Sequence, residues 1–257
     1  NVSDASMNDA TNNVGVGYQA LSALTQGDRN VAIGSNALLA MNTGNYNTVM
    51  GHNAADALVG GTHNVIIGDH AGSTTTDVDA CVIIGQSACE SGNMTSAADG
   101  TVAIGKGALV DLTSGARNTA IGYQTLDAMT QGDDNIAIGY QALSALGSTD
   151  GCDKNIAIGN YAMDAADGTE AGHIAIGHNS LGALNTNGAE RTICIGIEAG
   201  ASLNSADADY NIIMGYTAGT GGTGSMAKCV VLGGYAMNAT AAVSYTHLRA
   251  HETDSYL

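Results

Sequence analysis

The sequence predicts an all-β protein built as a parallel β-solenoid, and three observations lead to this prediction. A phrase close to Asn-Val-Ala-Ile-Gly recurs along the whole chain, as at residues 30–34 and 135–139. Each copy is a run of three residues, apolar except for Thr at the first position of two copies and often β-branched, that ends at a glycine, which is typical of a short strand. The copies follow one another at intervals of 17 to 20 residues, so the same structural unit is repeated as a stack of coils.

The glycine that closes each phrase identifies thirteen copies. If the leading residue of a copy is position zero, usually Asn, the glycine is position four. The interval between successive copies is never shorter than 17 residues and is sometimes slightly longer. This indicates coils of constant size, with the extra residues inserted in loops at one corner. We expect these glycines to adopt a positive φ or to be approached too closely for a Cβ atom. They are Gly17, Gly34, Gly51, Gly68, Gly85, Gly105, Gly122, Gly139, Gly159, Gly177, Gly196, Gly215 and Gly233.

The predicted strand is apolar on both of its faces. Positions one and three share a face and are assigned to the inside of the coil. Position two, on the other face, is also apolar in every copy, as at Ala32 and Ala137. A strand that is apolar on both faces needs cover on both. We expect a neighbouring chain to cover position two, and the alternative is that the chain's own loops fold over it.

The remainder of each copy is also regular. The glycine is followed by x-x-Ala, often by Leu, and three residues later by another Leu or Met, as in Ala37, Leu38 and Met41. This second apolar segment fits either a strand or one helical turn. Position zero is Asn in eight of the thirteen copies, and stacked Asn side chains predict a hydrogen-bonded ladder along the solenoid.

Composition excludes several classes of protein. The net charge of −17 argues against binding to nucleic acid or to anionic membrane surfaces. No apolar run approaches the roughly 18 residues of a transmembrane helix, so no membrane insertion by this segment is expected. Five cysteines without a disulfide or zinc spacing are interpreted as small packing residues, and the redox compartment stays open. The chain begins at Asn, which we interpret as an excised segment of a longer protein.

At residues 13 to 237 the pattern N-x-A-I-G-x-x-A resembles the head repeats of trimeric autotransporter adhesins of the YadA type. It also resembles the N-T-A-I-G-Y-x-A-L repeats of phage tail-fibre proteins, most closely at residues 118–126 and 135–143. This resemblance implies a left-handed β-roll, a homotrimer, and attachment to a host protein or glycan from a bacterial surface or a virion. Adhesin heads have shorter coils, and no neck, stalk or membrane anchor is present, so the tail-fibre version fits better.

Three regions are predicted. Residues 1–12 form an N-terminal cap or continue a preceding coil, and residues 13–243 form the repeat domain. Residues 244–257 break the pattern and resemble translated sequencing-adapter read-through, so we interpret them as a non-native or disordered tail. His247 and His251 in this tail are four residues apart, a spacing that suits a metal on a helix, but we assign no site to them.

Tyrosines are the candidate receptor-binding residues. Tyr18, Tyr123, Tyr140 and Tyr216 directly follow the closing glycine, and Tyr161 and Tyr235 come one residue later. They predict either an outward aromatic strip for sugars or protein receptors, or stacking between coils or against a partner chain.

No catalytic, cofactor or metal site is predicted. No nucleophile motif or phosphate-binding loop is present, and His52, His63, His70, His173 and His178 fall on no shared ligand pattern. Loop acids such as Asp77 with Asp79, Asp133 with Asp134, and Asp207 with Asp209 leave a calcium-binding solenoid as an alternative, although the calcium-roll motif is absent. An ice-binding solenoid is a further alternative, but the regular Thr rows it favours are absent.

The sequence therefore predicts a non-enzymatic attachment segment of a trimeric fibre, with a passive fibre spacer as the main alternative.

Overall fold

The computed structural model describes residues 10–147, 151–166, 171–184, 191–205, 208–221 and 226–238. These residues form thirteen strands of three residues each, and every strand ends directly before one of the predicted glycines. A 3₁₀ turn, Ser96–Ala98, lies in the longer connection between the fifth and sixth strands. The strands are β1 (Val14–Val16), β2 (Val31–Ile33), β3 (Thr48–Met50), β4 (Val65–Ile67), β5 (Val82–Ile84), β6 (Val102–Ile104), β7 (Thr119–Ile121), β8 (Ile136–Ile138), β9 (Ile156–Ile158), β10 (Ile174–Ile176), β11 (Ile193–Ile195), β12 (Ile212–Met214) and β13 (Val230–Leu232).

The strands form one parallel sheet in chain order, from β1 to β13. Each strand pairs with the next so that equivalent repeat positions face each other, as Val31 faces Thr48 and Ile33 faces Met50. The prediction of a parallel β-solenoid is therefore confirmed. With strands about 4.8 Å apart, thirteen of them make a stack roughly 60 Å long.

The strand faces are the reverse of the sequence-based assignment. Position two is completely buried in twelve of the strands, whereas positions one and three are only partly buried or are exposed. In β3, Val49 is buried while Thr48 and Met50 are exposed. The assignment of positions one and three to the interior was wrong, and so was the expectation that another chain covers position two.

The chain's own second apolar segment covers position two. A Cβ atom added to Gly72, which lies in that segment, would contact the side chains of Ile66 and Ile83 from β4 and β5. One continuous core contains the position-two residues together with the Ala, Leu and Met side chains that follow the glycines. The interior is narrow, so small residues such as Ala at position two fit opposite Leu or Met.

The second apolar segment is neither a strand nor a helical turn. It is a run of turns in which alternate residues take left-handed backbone angles, as Asn36 (φ 59°) and Leu38 (φ 52°) do. These angles let the segment hydrogen-bond to both neighbouring coils: Asn36 N donates to Tyr18 O (2.8 Å) and Leu38 N to Ala54 O (3.1 Å). The backbone polar groups of the segment are thus paired outside any regular element.

The leading asparagines form the predicted ladder, and they are buried from Asn30 onwards. Asn47 shows the pattern: its Nδ2 donates to Gly61 O (2.7 Å) and to Asn30 Oδ1 (3.0 Å), and its Oδ1 accepts from the backbone N of Asn64 (3.0 Å). Where Asn is replaced, the row continues through other groups; His173 N, for example, donates to Asn155 Oδ1 (3.0 Å). The structural role predicted for this row is confirmed.

The predicted tail, residues 244–257, and the first nine residues lie outside the described part of the chain. The described repeat structure begins at Ala10 and ends at Asn238.

Candidate functional site

The residues that follow each closing glycine lie at one corner of the solenoid, and this corner carries the tyrosines. Because the coils stack in register, residues far apart in sequence become neighbours there. Tyr123 and Tyr140 stack with ring centroids 5.3 Å apart, and Tyr140 meets Tyr161 edge-on at 5.2 Å. Tyr161 in turn contacts His178 at 5.8 Å. We call Tyr123, Tyr140, Tyr161 and His178 the aromatic strip.

The aromatic strip is stacked and accessible at the same time. Tyr123 is 40% exposed and Tyr140 is 39% exposed, so each ring packs on its neighbour and still presents an edge or a face to solvent. The pKa of the Tyr140 phenol is raised above its ordinary value, mainly by desolvation and then by the neighbouring Tyr161 and Tyr123. The Tyr140 phenol is therefore a neutral hydrogen-bonding group at physiological pH.

The other two predicted tyrosines lie apart from the strip. Tyr216 packs edge-on against Tyr235 (5.3 Å) near the C-terminal end of the stack, with the exposed Ile197 one coil before it. Tyr18 is strongly exposed in the first coil. Of the four tyrosines predicted as a group, only Tyr123 and Tyr140 are brought together.

A second row of outward-facing side chains occupies the repeat position directly before the leading Asn. This row was not predicted from the sequence. Arg29 donates to the Tyr46 hydroxyl (2.7 Å) and lies over its ring, which stacks on His63 at 4.8 Å. Arg191 and Tyr210 repeat the arrangement in later coils. The signal was present, because five of the seven Lys and Arg residues occupy this one repeat position: Arg29, Arg117, Lys154, Arg191 and Lys228.

Three of the acidic residues considered for calcium, Asp79, Asp133 and Asp134, bond to a neighbouring coil. Asp79 Oδ1 accepts from both the backbone N and the hydroxyl of Thr62 (2.6 and 2.8 Å), and Asp133 Oδ1 accepts from Ala116 N (2.8 Å). Asp134 forms an ion pair with Arg117 (2.6 Å). Asp207 lies outside the described residues. Carboxylates that already accept these bonds are poorly arranged for a cation that requires six or more oxygens.

The five histidines in the described part of the chain occupy four different settings. His173 belongs to the buried ladder, His63 stacks on Tyr46, and His178 ends the aromatic strip. His52 and His70, however, meet at the corner of adjacent coils, on either side of Asp69. This proximity has no counterpart in the sequence pattern, because a spacing of one coil plus one residue becomes close only after stacking.

The five cysteines all lie in the described part of the chain, where they are buried and form no disulfide, as expected for packing residues. Burial raises the pKa of the Cys81 thiol to about 11 and that of Cys194 to about 12. At neutral pH these two thiols are protonated, and the thiolate needed for nucleophilic or metal chemistry is scarce.

Comparison with known proteins found no matching family model and no matching curated protein. Over the described residues, no helix is both long and apolar enough to cross a membrane.

Proposed function

We propose that this chain is a non-enzymatic segment of a trimeric extracellular or virion fibre, and that it takes part in attachment to a host or surface. The single observation that carries the proposal is the apolar outer face of the sheet. The resemblance of the repeats to adhesin heads and tail fibres agrees with this proposal.

The outer face is formed by positions one and three of all thirteen strands. Most of these side chains are Val, Ile, Leu or Met, and several are strongly exposed, for example Met50, Met214 and Leu232. A face about 60 Å long and one short strand wide, about 10 Å, covers roughly 600 Å². Contiguous apolar patches of this size usually mark an interaction surface.

Copies of the same chain are the partner that best fits this face. Its rows repeat with the spacing of the coils, so a second copy lying parallel presents matching rows over the full length. The area approaches the roughly 800 Å² per partner found in stable interfaces. Three copies around a common axis would bury the face of each chain and leave the corners with the tyrosines outside.

Assembly can be tested with a matched pair of variants. Met50 on the outer face is 44% exposed, and Val59, on the turn segment, is 45% exposed. We expect Met50→Glu to shift the species measured by light scattering toward the monomer, because a carboxylate in an apolar interface lacks a partner. Val59→Glu should leave the mass unchanged. A monomeric parent chain, or a Met50→Glu oligomer as stable as the parent, would refute the trimer.

The attachment role depends on the aromatic strip, whose exposed rings suit sugars or a protein receptor. In a glycan-array or cell-binding assay, the parent should bind saturably, and Tyr123→Ala with Tyr140→Ala should weaken that binding. Tyr46→Ala, at the other corner, is the control. A parent chain that assembles into trimers but binds nothing would make this segment a passive spacer.

A further inference from the structure

The corner that follows β3 and β4 brings together two imidazoles and a carboxylate. His52 follows the glycine that closes β3, and Asp69 and His70 follow the glycine that closes β4. His52 Nδ1 and His70 Nδ1 each lie 3.1 Å from Asp69 Oδ1. The metal-ligating atoms of the three residues all lie within 4.8 Å of one another.

We propose that His52, Asp69 and His70 bind a divalent transition-metal ion of the zinc type. Two imidazoles and one carboxylate are a common ligand set for such ions, with water completing the coordination. Metal–ligand bonds of about 2.0–2.2 Å in tetrahedral geometry separate the ligand atoms by about 3.3–3.5 Å. The two distances from the histidine Nδ1 atoms to Asp69 Oδ1 are already close to this value. The ion can therefore replace the hydrogen-bonding protons between these atoms with only small movements of the side chains.

The cluster is open to solvent. The side chains of His52, Asp69 and His70 are 54%, 49% and 36% exposed, so an ion reaches them without a structural opening. The pKa of Asp69 is lowered, first by the hydrogen bonds with His52 and His70, so the carboxylate is ionised at neutral pH. Partial burial raises the pKa of Asp56, and the nearby His70 and His52 oppose that shift in part.

The side chain of Asn53 lies next to the outer nitrogen of His70 and can become its hydrogen-bond acceptor. His70 Nε2 lies 3.1 Å from Asn53 Nδ2, and Asn53 Oδ1 accepts from Asn36 Nδ2 (2.9 Å). When a metal occupies His70 Nδ1, the Nε2 carries the proton. Rotation of the Asn53 amide then turns its oxygen toward that proton, and the same rotation at Asn36 preserves their hydrogen bond. Metal-binding histidines typically have such an outer-shell acceptor.

The bound ion would join two consecutive coils, because His52 comes from one coil and Asp69 and His70 from the next. A ligand that binds only the stacked arrangement stabilises it. Zinc should therefore raise the melting temperature of the protein.

The experiment is a titration of Zn²⁺ into the full chain at pH 7.5, measured by competition with a chromophoric chelator, together with thermal melting. His52→Asn and His70→Asn remove one ligand each. His178→Asn is the matched control, because His178 occupies the same repeat position as His52 in a distant coil. His247 and His251 remain in every sample, so their contribution is constant.

We expect the parent and His178→Asn to bind one ion tightly and to melt at a higher temperature with Zn²⁺. His52→Asn and His70→Asn should each bind at least tenfold more weakly and should lose the zinc-dependent stabilisation, while melting like the parent without metal. Equal affinity in the parent and both ligand variants, or no binding by the parent, would overturn the proposal.

Discussion

At the scale of single residues, two separate constraints require glycine at the end of a strand such as β7, and both exclude a Cβ atom. Gly122 has a φ of +143°, which L side chains rarely adopt, and a Cβ there would collide with the carbonyl oxygen of Gly139 in the next coil. The same carbonyl oxygen also accepts a hydrogen bond from the hydroxyl of Thr125 (2.7 Å), so the space around it is already occupied. Stacking at strand spacing therefore leaves no room for any side chain at this position.

Replacing Gly122 by Ala should destabilise the protein by at least about 2 kcal/mol, since backbone strain and a displaced coil combine. The measurement is the free energy of unfolding in denaturant. Gly233→Ala is the control, because Gly233 closes β13, the last strand among the described residues, and a Cβ there meets nothing within 4 Å. Equal losses for the two variants would show that contact between coils does not matter at this position.

At the scale of the element, each strand divides a three-residue apolar run between an inner and an outer face. Ala137 in β8 is completely buried, whereas Ile136 and Ile138 beside it are only partly buried. In β8 the smaller residue lies inside, because the coil is narrow there and its opposite wall is already filled by Leu and Met. The larger β-branched residues lie outside, where space is not limited by the coil.

This division predicts opposite effects for adjacent substitutions. Ala137→Glu places a carboxylate in the core without a partner and should prevent folding or cost several kcal/mol. Ile138→Glu should leave the single chain folded, because the side chain points away from the core. Circular dichroism and thermal melting distinguish the two, and a well-folded Ala137→Glu chain would contradict the observed orientation of the strand.

At the scale of the whole molecule, the solenoid is a row of similar coils in which every strand pairs only with its sequence neighbours. The Asn ladder, the glycine contacts and the sheet run through the stack together. Stability in such a chain comes from contacts between nearest neighbours, since a single coil buries too few apolar side chains to order its backbone.

Removal of one complete coil should therefore be tolerated. Deleting residues 119–135, which number 17, joins Asn118 to Ile136 and keeps every later residue at its repeat position. Deleting residues 119–136, which number 18, instead leaves an interval of 16 residues between Gly105 and Gly139, one fewer than the minimum of 17, so that coil is too short to keep its strand in register. We expect a cooperative melt near that of the parent for the first deletion and a much lower one for the second. Similar melting of both would argue against a stack held by fixed register.

Much of the fold was predictable because the repeat is regular. The thirteen copies, the parallel stacking, the glycine constraint and the Asn ladder all follow from residue types that recur at fixed spacing, as Gly34 and Asn30 do. The turn segment was not predictable, because left-handed angles at residues such as Leu38 depend on hydrogen bonds to the coils on both sides. The four tyrosines were identified from their position, but only stacking shows that Tyr123 and Tyr140 are neighbours.

By itself the sequence determined the period, the number of strands and the residues that close them, since these depend on local backbone chemistry repeated in order. Only the tertiary structure decided which strand face is inside and which side chains meet across coils. Alternation places Ile136 and Ile138 on one face and Ala137 on the other, but with all three apolar it does not say which face the coil encloses. The direction in which the chain turns after the glycine decides that, and it also brings His52 to Asp69 and His70.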